Sequence, residues 1–360
     1  MTTAALRPVE LGPLVVGVDT SAPARTAALW AAEEANRRGR PLHLVHAADT
    51  DHRMLYTGVE AIQAIREAGR DLLIDTAEAV GHRYPGLTVT RELSRLNPVS
   101  GLRAAAGERG TIVVGSRGLG GFDALMLGSV GLGLVARTEV PVIVVRGEPD
   151  RPATGLITAA VRGSSDLDWL MLAAAEAQVR KASLRLLSVC NVLAQVGAVT
   201  TMLDSLGEVA EQQVHEVSAM ATRIREACPD LTVTHHVETG TSVPGILVEA
   251  SKHTDLMVLG SHRHVLGLGP ALGRVSHAVL HHGHCPIEIV PLSTWTRATR
   301  SDSAPGGSPP VWCAPPVLLI CRLRTRNHGD SHDVAALRDS VHGTRPTGHP
   351  ERRREERLAR

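Results

Sequence analysis

Aromatic side chains are nearly missing from this chain: they make up 2% of its 360 residues, with one Phe and two Tyr. Its interior must therefore be packed from Ala, Val, Leu and Ile, and a hydrophobic content of 43% is enough to fill two ordinary cores. Lysine is scarce as well, since Lys181 and Lys252 are the two among 38 basic residues. Neither lies near a glycine-rich segment, which excludes a Walker A phosphate loop with its required G-x-x-x-x-G-K-[ST]. The five cysteines (Cys190, Cys228, Cys285, Cys313 and Cys321) are odd in number, scattered, and without a C-x-x-C pair. Such a set suits reduced thiols and argues against a disulfide framework. No apolar run approaches the ~20 residues of a membrane helix. Residues Met1–Gly12 hold one Arg and no apolar stretch of the signal-peptide kind. A cytoplasmic protein with no membrane partner is expected. Concentrated positive charge is missing too. The net charge of +1 divides into +5 over residues 291–360 and −4 over the first 290, so the body offers no basic face to nucleic acid.

What is present is a repeat. A chain of this length suits two domains of about 150 residues plus extra sequence. Strand-like runs at Leu14–Asp19, Leu42–Ala47, Leu87–Leu93, Thr111–Gly115 and Val140–Val145 alternate with helical stretches at 23–38, 57–81, 99–109 and 129–138. The same order returns with Leu156–Val161, Leu184–Cys190, Leu231–Val237, Leu256–Gly260 and Ile287–Val290. Strands alternating with helices imply right-handed crossovers and a parallel sheet. The tetrapeptide Leu87-Thr-Val-Thr90 recurs as Leu231-Thr-Val-Thr234, and Gly115/Gly260, Gly128/Gly273 and Pro141/Pro286 share one offset of 145. A register kept without gaps over that length marks a duplication. Domains are expected at residues 1–147 and 154–291, joined by a Pro/Gly-rich linker. Residues 292–360 are expected to be a disordered Arg/Pro-rich tail, unable to bury enough surface to offset chain entropy.

Two segments of the first repeat carry chemistry. One is Gly17-Val18-Asp19 at the end of the first strand; the other is Gly115-Ser-Arg-Gly118, nine residues, then Gly128-Ser129. In an open parallel sheet, ligands bind beyond the carboxyl ends of strands, where crossovers diverge to opposite faces. An Asp there can accept from ribose hydroxyls, and glycines let backbone amides approach phosphate oxygens. Gly128-Ser129 opens a helix, whose free N–H groups and positive dipole end face any anion. Singly, such an Asp is more often a helix cap and such glycines are turn punctuation. The complete spacing Gly-x2-Gly-x9-Gly-Ser is far more specific.

At this point the chain resembles the universal stress protein family. The resemblance spans residues 12–290 and rests on Val16-Gly-Val-Asp19, Trp30-Ala-Ala-Glu-Glu-Ala35, Leu44-Val-His-Ala47, the glycine motif, and Val140-Pro-Val-Ile-Val-Val145. It implies an α/β fold of two tandem Rossmann-like (adenine nucleotide alpha hydrolase-like) domains. Each would be a five-stranded parallel sheet of order 3-2-1-4-5 with helices on both faces. It further implies that the first repeat binds ATP or a related adenine nucleotide. Asp19 would hold the ribose, and the backbone near Ala47 would contact adenine. Gly115, Gly118, Gly128, Ser129 and Val130 would surround the phosphates, with Gly17, Val18 and Arg117 completing the site. Magnesium is expected only in company with ATP. The resemblance also implies pairing through the last strands, Val140–Val145 with Ile287–Val290, within one chain; a homodimer is a further arrangement. The implied role is a stress-response or signalling module acting on a protein partner of unknown identity.

The repeats differ at the motif. Gly110 stands where the family often has Asp, as Asp255 does in the second repeat, and that position is not expected to touch nucleotide. In the second repeat Arg162 replaces the ribose Asp, Arg263 the second Gly and Arg274 the Ser, while Gly260 and Gly273 remain. The favoured reading is a decayed pocket kept for pairing with the first domain. The alternative is a new anion site made by three arginines. His281-His-Gly-His284 spells a nucleotidylyltransferase motif but stands before a last strand rather than after a first one. His277, His281, His282, His284 and Cys285 crowd together without a carboxylate to complete a metal site, so no metal is expected; a pH-sensitive interface is a second reading. No G-x-G-x-x-G follows the first strand, which argues against NAD or FAD. No nucleophile and base are placed together, so an enzyme is not expected, slow ATP hydrolysis aside. The rival class is an interaction protein that works without nucleotide.

Overall fold

The computed structural model describes residues 12–118, 127–147, 151–191, 202–261 and 272–291. The tail expected at 292–360 and Arg263 lie outside the described residues. The first half runs β1 (Leu14–Gly17), α1 (Ala22–Arg38), β2 (Leu42–Ala47), a single turn α2 (Thr50–Arg53), α3 (Val59–Arg83), β3 (Val89–Ser94), α4 (Pro98–Ala106), β4 (Thr111–Gly115), α5 (Ser129–Arg137) and β5 (Val142–Val145). The second runs β6 (Leu156–Val161), α6 (Leu167–Arg180), β7 (Ser183–Asn191), α7 (Met202–Ala227), β8 (Val233–Gly240), α8 (Val243–Ala250), β9 (Leu256–Ser261), α9 (Arg274–His282) and β10 (Ile287–Pro291).

Their strands form one ten-stranded sheet, ordered β3-β2-β1-β4-β5-β10-β9-β6-β7-β8. Each half therefore has the order 3-2-1-4-5, and every pairing inside a half is parallel. The halves meet where β10 runs antiparallel to β5, with Ile287 opposite Val144, Glu288 opposite Ile143 and Ile289 opposite Val142. Central strands are apolar on both faces, as a sheet covered on both sides requires. The edge strands β3 and β8 instead carry Arg91, Glu92, His235, His236 and Glu238, which discourages edge-to-edge pairing.

Local signals set most boundaries. Ser21 caps α1 by accepting from the Ala24 N–H at 3.2 Å, and Asn97 and Ser242 cap α4 and α8 in the same manner. A stripe of Ala24, Ala27, Ala28, Ala31, Ala32 and Ala35 lets α1 lie close on the sheet. The runs at Leu87 and Leu231 begin two residues before the strands do. Their N–H groups are taken by turns, to Tyr84 O and Cys228 O, while the leucines still pack into the cores. Helix α4 stops at Ala106 rather than 109, because Gly107 takes a positive φ of 57°.

The two faces of the sheet are joined differently. On the α4/α5/α8/α9 face one apolar core crosses the junction, from Leu127, Leu134 and Val142 to Leu272, Val279 and Ile287. On the α1/α6 face each half has its own core, and buried charge lies between them. Glu34 and Arg38 of α1 meet Glu176 and Arg180 of α6. Arg38 binds Glu34 through Nε at 2.6 Å and stands 2.6 Å from Glu176, off hydrogen-bond alignment. Arg180 pairs with Glu34 and lies over the Trp30 ring, 5.4 Å from its centre. Glu34 and Glu176 occupy equivalent positions of the two repeats, as do Arg38 and Arg180, so the contact is a two-fold exchange of the self-complementary kind.

Candidate functional site

The first strand delivers Asp19 to the carboxyl end of the sheet. Val18 is tied to the second strand, its N–H donating to Val45 O at 2.9 Å and its carbonyl accepting from His46 Nδ1 at 2.8 Å. With that backbone fixed, the half-buried Asp19 turns its carboxylate sideways. Oδ1 accepts from the Ser21 N–H at 2.9 Å. Oδ2 lies over Gly118, only 2.8 Å from where a Cβ on that glycine would stand. The two motif segments, about a hundred residues apart in sequence, are thus in contact.

The start of α5 is equally close. The Gly128 N–H donates to Ser116 O at 3.0 Å, which brings the start of α5 against the Arg117–Gly118 backbone. Gly128 is the N-cap of α5 and supplies no side-chain cap, and Ser129 is exposed. The first-turn N–H groups of α5, with Ser129 Oγ beside them, make an anion-binding arrangement. Arg117 adds positive charge nearby. Burial and that neighbour together lower the Arg146 guanidinium from its ordinary value. Ala47 ends β2 and packs near Gly101. Gly17, Val18, Asp19, Gly115, Arg117, Gly118, Gly128, Ser129 and Val130 all sit at the same end of the sheet, around the β1/β4 divergence.

Gly115 has a reason of its own to be glycine. A Cβ there would stand 2.6 Å from the Pro23 carbonyl oxygen, so the first turn of α1 packs directly on it. Its counterpart Gly260 is covered in the same way by the Trp169 indole, 2.6 Å from the Cβ position. Packing explains why this glycine survives in both repeats. Among the described residues Gly118 has no such contact with backbone, and the neighbour its Cβ would meet is Asp19.

In the second repeat the equivalent corner is filled from within. Asp166, buried at 1% exposure, accepts from the Arg162 N–H at 2.8 Å and approaches the Arg162 guanidinium at 3.4 Å. Gln213 bridges Arg162 O and Ser188 Oγ. What remains is an open cleft of about 410 Å³ lined by Arg162, Gly163, Ser164, Ser165 and Glu216. A carboxylate already sits beside Arg162 and another lines the cleft, which works against an anion there.

Among the described residues no group of three or more His, Cys, Asp or Glu side chains is placed to hold a metal. His277 and His281 stack with ring centres 4.2 Å apart. The Leu127 N–H donates to His281 Nδ1 at 3.1 Å. Burial pushes the Cys285 thiol up to about 12. No described helix is long and apolar enough to cross a membrane.

Two residues absent from the sequence motif reach this site. His281 of α9 binds the residue just before Gly128, and Arg146 donates to Leu280 O on the same helix. No local pattern signals them, because their partners lie more than a hundred positions away.

Comparison with known proteins places the fold. A family model described as the universal stress protein family matches residues 11–146 and 157–291. A universal stress protein of Mycobacterium tuberculosis is 31% identical over 298 residues, covering 79% of this chain and 98% of that protein. Among solved structures, a universal stress protein from Archaeoglobus fulgidus superposes with a TM-score of 0.56 at 16% identity, covering 78% of this chain and 96% of that one. A second structure from the same organism is a complex with dAMP; it matches 38% of this chain and 94% of its own, at 18% identity and a TM-score of 0.27.

Proposed function

This chain belongs to the universal stress protein family, and from that membership we propose that its first repeat binds ATP or a related adenine nucleotide. The observation that carries the reading is the contact of Asp19 Oδ2 with the space over Gly118, beside the uncapped start of α5. An acceptor for ribose and a cradle for phosphate thereby share one corner at the carboxyl end of a parallel sheet, where such folds bind ligands. Asp19 would take the ribose. The backbone near Ala47, with Gly17 and Val18, would face adenine. Gly118, Gly128, Ser129 and Val130 would take the phosphates, aided by Gly115 and Arg117, with magnesium only as a companion of ATP.

The second repeat lacks a ribose acceptor at Arg162 and serves as the pairing half. The nucleotide state is passed to a protein partner as part of a stress-response role, and hydrolysis is at most slow. The five cysteines are scattered and include no C-x-x-C pair, which supports work in a reducing cytoplasm. The test is to extract nucleotide from the purified full chain and to titrate the stripped protein with ATP by calorimetry. One ATP per chain is expected. No binding, or two equivalent sites, would overturn the proposal.

A further inference from the structure

We infer that His281, in the second repeat, is a positioning residue for the phosphate-binding turn of the first. This rests on the reading of Gly128–Val130 as that turn.

The turn is pinned from two sides. Gly128 N–H is held inside its own repeat by Ser116 O, and the preceding Leu127 N–H is held across the junction by His281 Nδ1 at 3.1 Å. Both Leu127 and His281 are buried, each at 5% exposure. A buried N–H that loses its acceptor is costly, so this bond, together with that of Gly128, fixes where the chain enters α5. Accepting through Nδ1 requires that the ring carry its neutral-state proton on Nε2. The ring is held in place by stacking on His277 and by the α9 backbone, which Arg146 of the first repeat grips at Leu280 O.

The repeats are unequal in this respect. By the offset of 145, Leu127 corresponds to Leu272 and His281 to Ala136. Helix α5 has only a methyl group where α9 has an imidazole, so the first repeat cannot return the bond to Leu272. The acceptor exists only on the side that serves the intact Gly-Ser motif. The repeat with the degenerate motif thus supplies a part of the other repeat's site, which gives its retention a purpose beyond covering a sheet edge.

The experiment compares full-length wild type with His281→Ala and His281→Asn. Asn Oδ1 lies at the same distance along the side chain as His Nδ1 and keeps an acceptor; Ala removes it. Deuterium exchange is followed at Leu127 without nucleotide, and ATP affinity is measured by calorimetry. His281→Ala should speed exchange at Leu127 by about tenfold, with the first turn of α1 unchanged, and weaken ATP by about tenfold. His281→Asn should recover both to within about threefold of wild type. Unchanged exchange at Leu127 in His281→Ala, or equal behaviour of the Ala and Asn variants, overturns the assignment. If wild type takes up no ATP, the nucleotide reading falls, while the exchange comparison still decides whether His281 holds the turn.

Discussion

Gly118 and Asp19 touch through space that a single Cβ would fill, so the smallest changes at these positions carry the sharpest consequences. Gly118→Arg must drive the Asp19 carboxylate aside, yet among the described residues its Cβ meets no backbone, and the position is exposed. ATP binding should fall below detection in calorimetry while the thermal unfolding midpoint stays near wild type; unaltered binding would remove Gly118 from the site. Asp19→Ala should weaken ATP by about 10–100-fold, the range for loss of charge-assisted hydrogen bonds. Glu288 is the other residue with a distinct signature. It is buried at 1% exposure opposite Ile143, and among the described residues neither carboxylate oxygen has a hydrogen-bond partner. Burial raises its carboxyl against the pull of Arg38, and nearby Glu34 raises it further. Burial likewise pushes Glu176 up, to about 8, despite Arg38. Glu34 moves the other way: burial opposes ionisation, but Arg38, Arg180 and Arg37 hold it down at about 2. A raised folded-state value means that the folded form holds its proton longer than the unfolded chain. Stability from Glu288 and Glu176 is thus lost as pH climbs above the ordinary glutamate range, whereas that from Glu34 is lost as pH falls below it. Glu288→Leu should shift stability more favourably near pH 8 than near pH 5, in urea titrations at the two values. A loss of stability at both would show that the carboxyl is needed where it is.

At the level of elements, the decisive feature is the antiparallel meeting of β5 and β10. Each strand would otherwise be an exposed apolar edge, and Pro141 and Pro286 precede the pairing without blocking it. Residues 1–150 alone should self-associate or aggregate in light scattering, while residues 1–292 should behave as a self-contained pair. A monodisperse monomer of 1–150 would contradict this. The alternating β-type and helical runs made the order of elements legible, together with the parallel pairing within each half. Boundaries were less legible where one residue type serves two purposes. Leu87 and Leu231 look like strand residues because they are apolar and follow a helix, but a turn holds their N–H groups and only their side chains join the core.

Across the whole molecule, the two repeats are alike in topology and unlike in chemistry. One face of the junction is a continuous apolar core and the other a reciprocal set of buried ion pairs. Removing one partner from such a pair costs more than the pair contributes, because a buried charge is left behind. Charges of this kind therefore set how the halves dock more than how tightly they hold. The intact glycine motif is confined to the first repeat, while the second contributes α9 and its histidine to the junction.

The sequence by itself determined the duplication and the alternation of strands with helices, while the strand order within each half and the pairing strands came from its resemblance to the universal stress protein family. It also determined the contrast between Asp19 with Gly118 and their arginine replacements. The duplication, the alternation and the contrast at the motif follow from periodicity, glycine spacing and a constant offset, all of which are local or repeat along the chain. Only the tertiary structure decided that Glu34, Arg38, Glu176 and Arg180 are buried, since their four-residue spacing reads equally well as solvated helix surface until two helices meet. It also decided that Gly115 and Gly260 are kept by packing, and that His281 accepts from the Leu127 N–H, 154 residues earlier in the chain. The physical reason is the same in each case. Burial and long-range hydrogen bonds are properties of pairs of elements, and no stretch of sequence records which distant element will cover it.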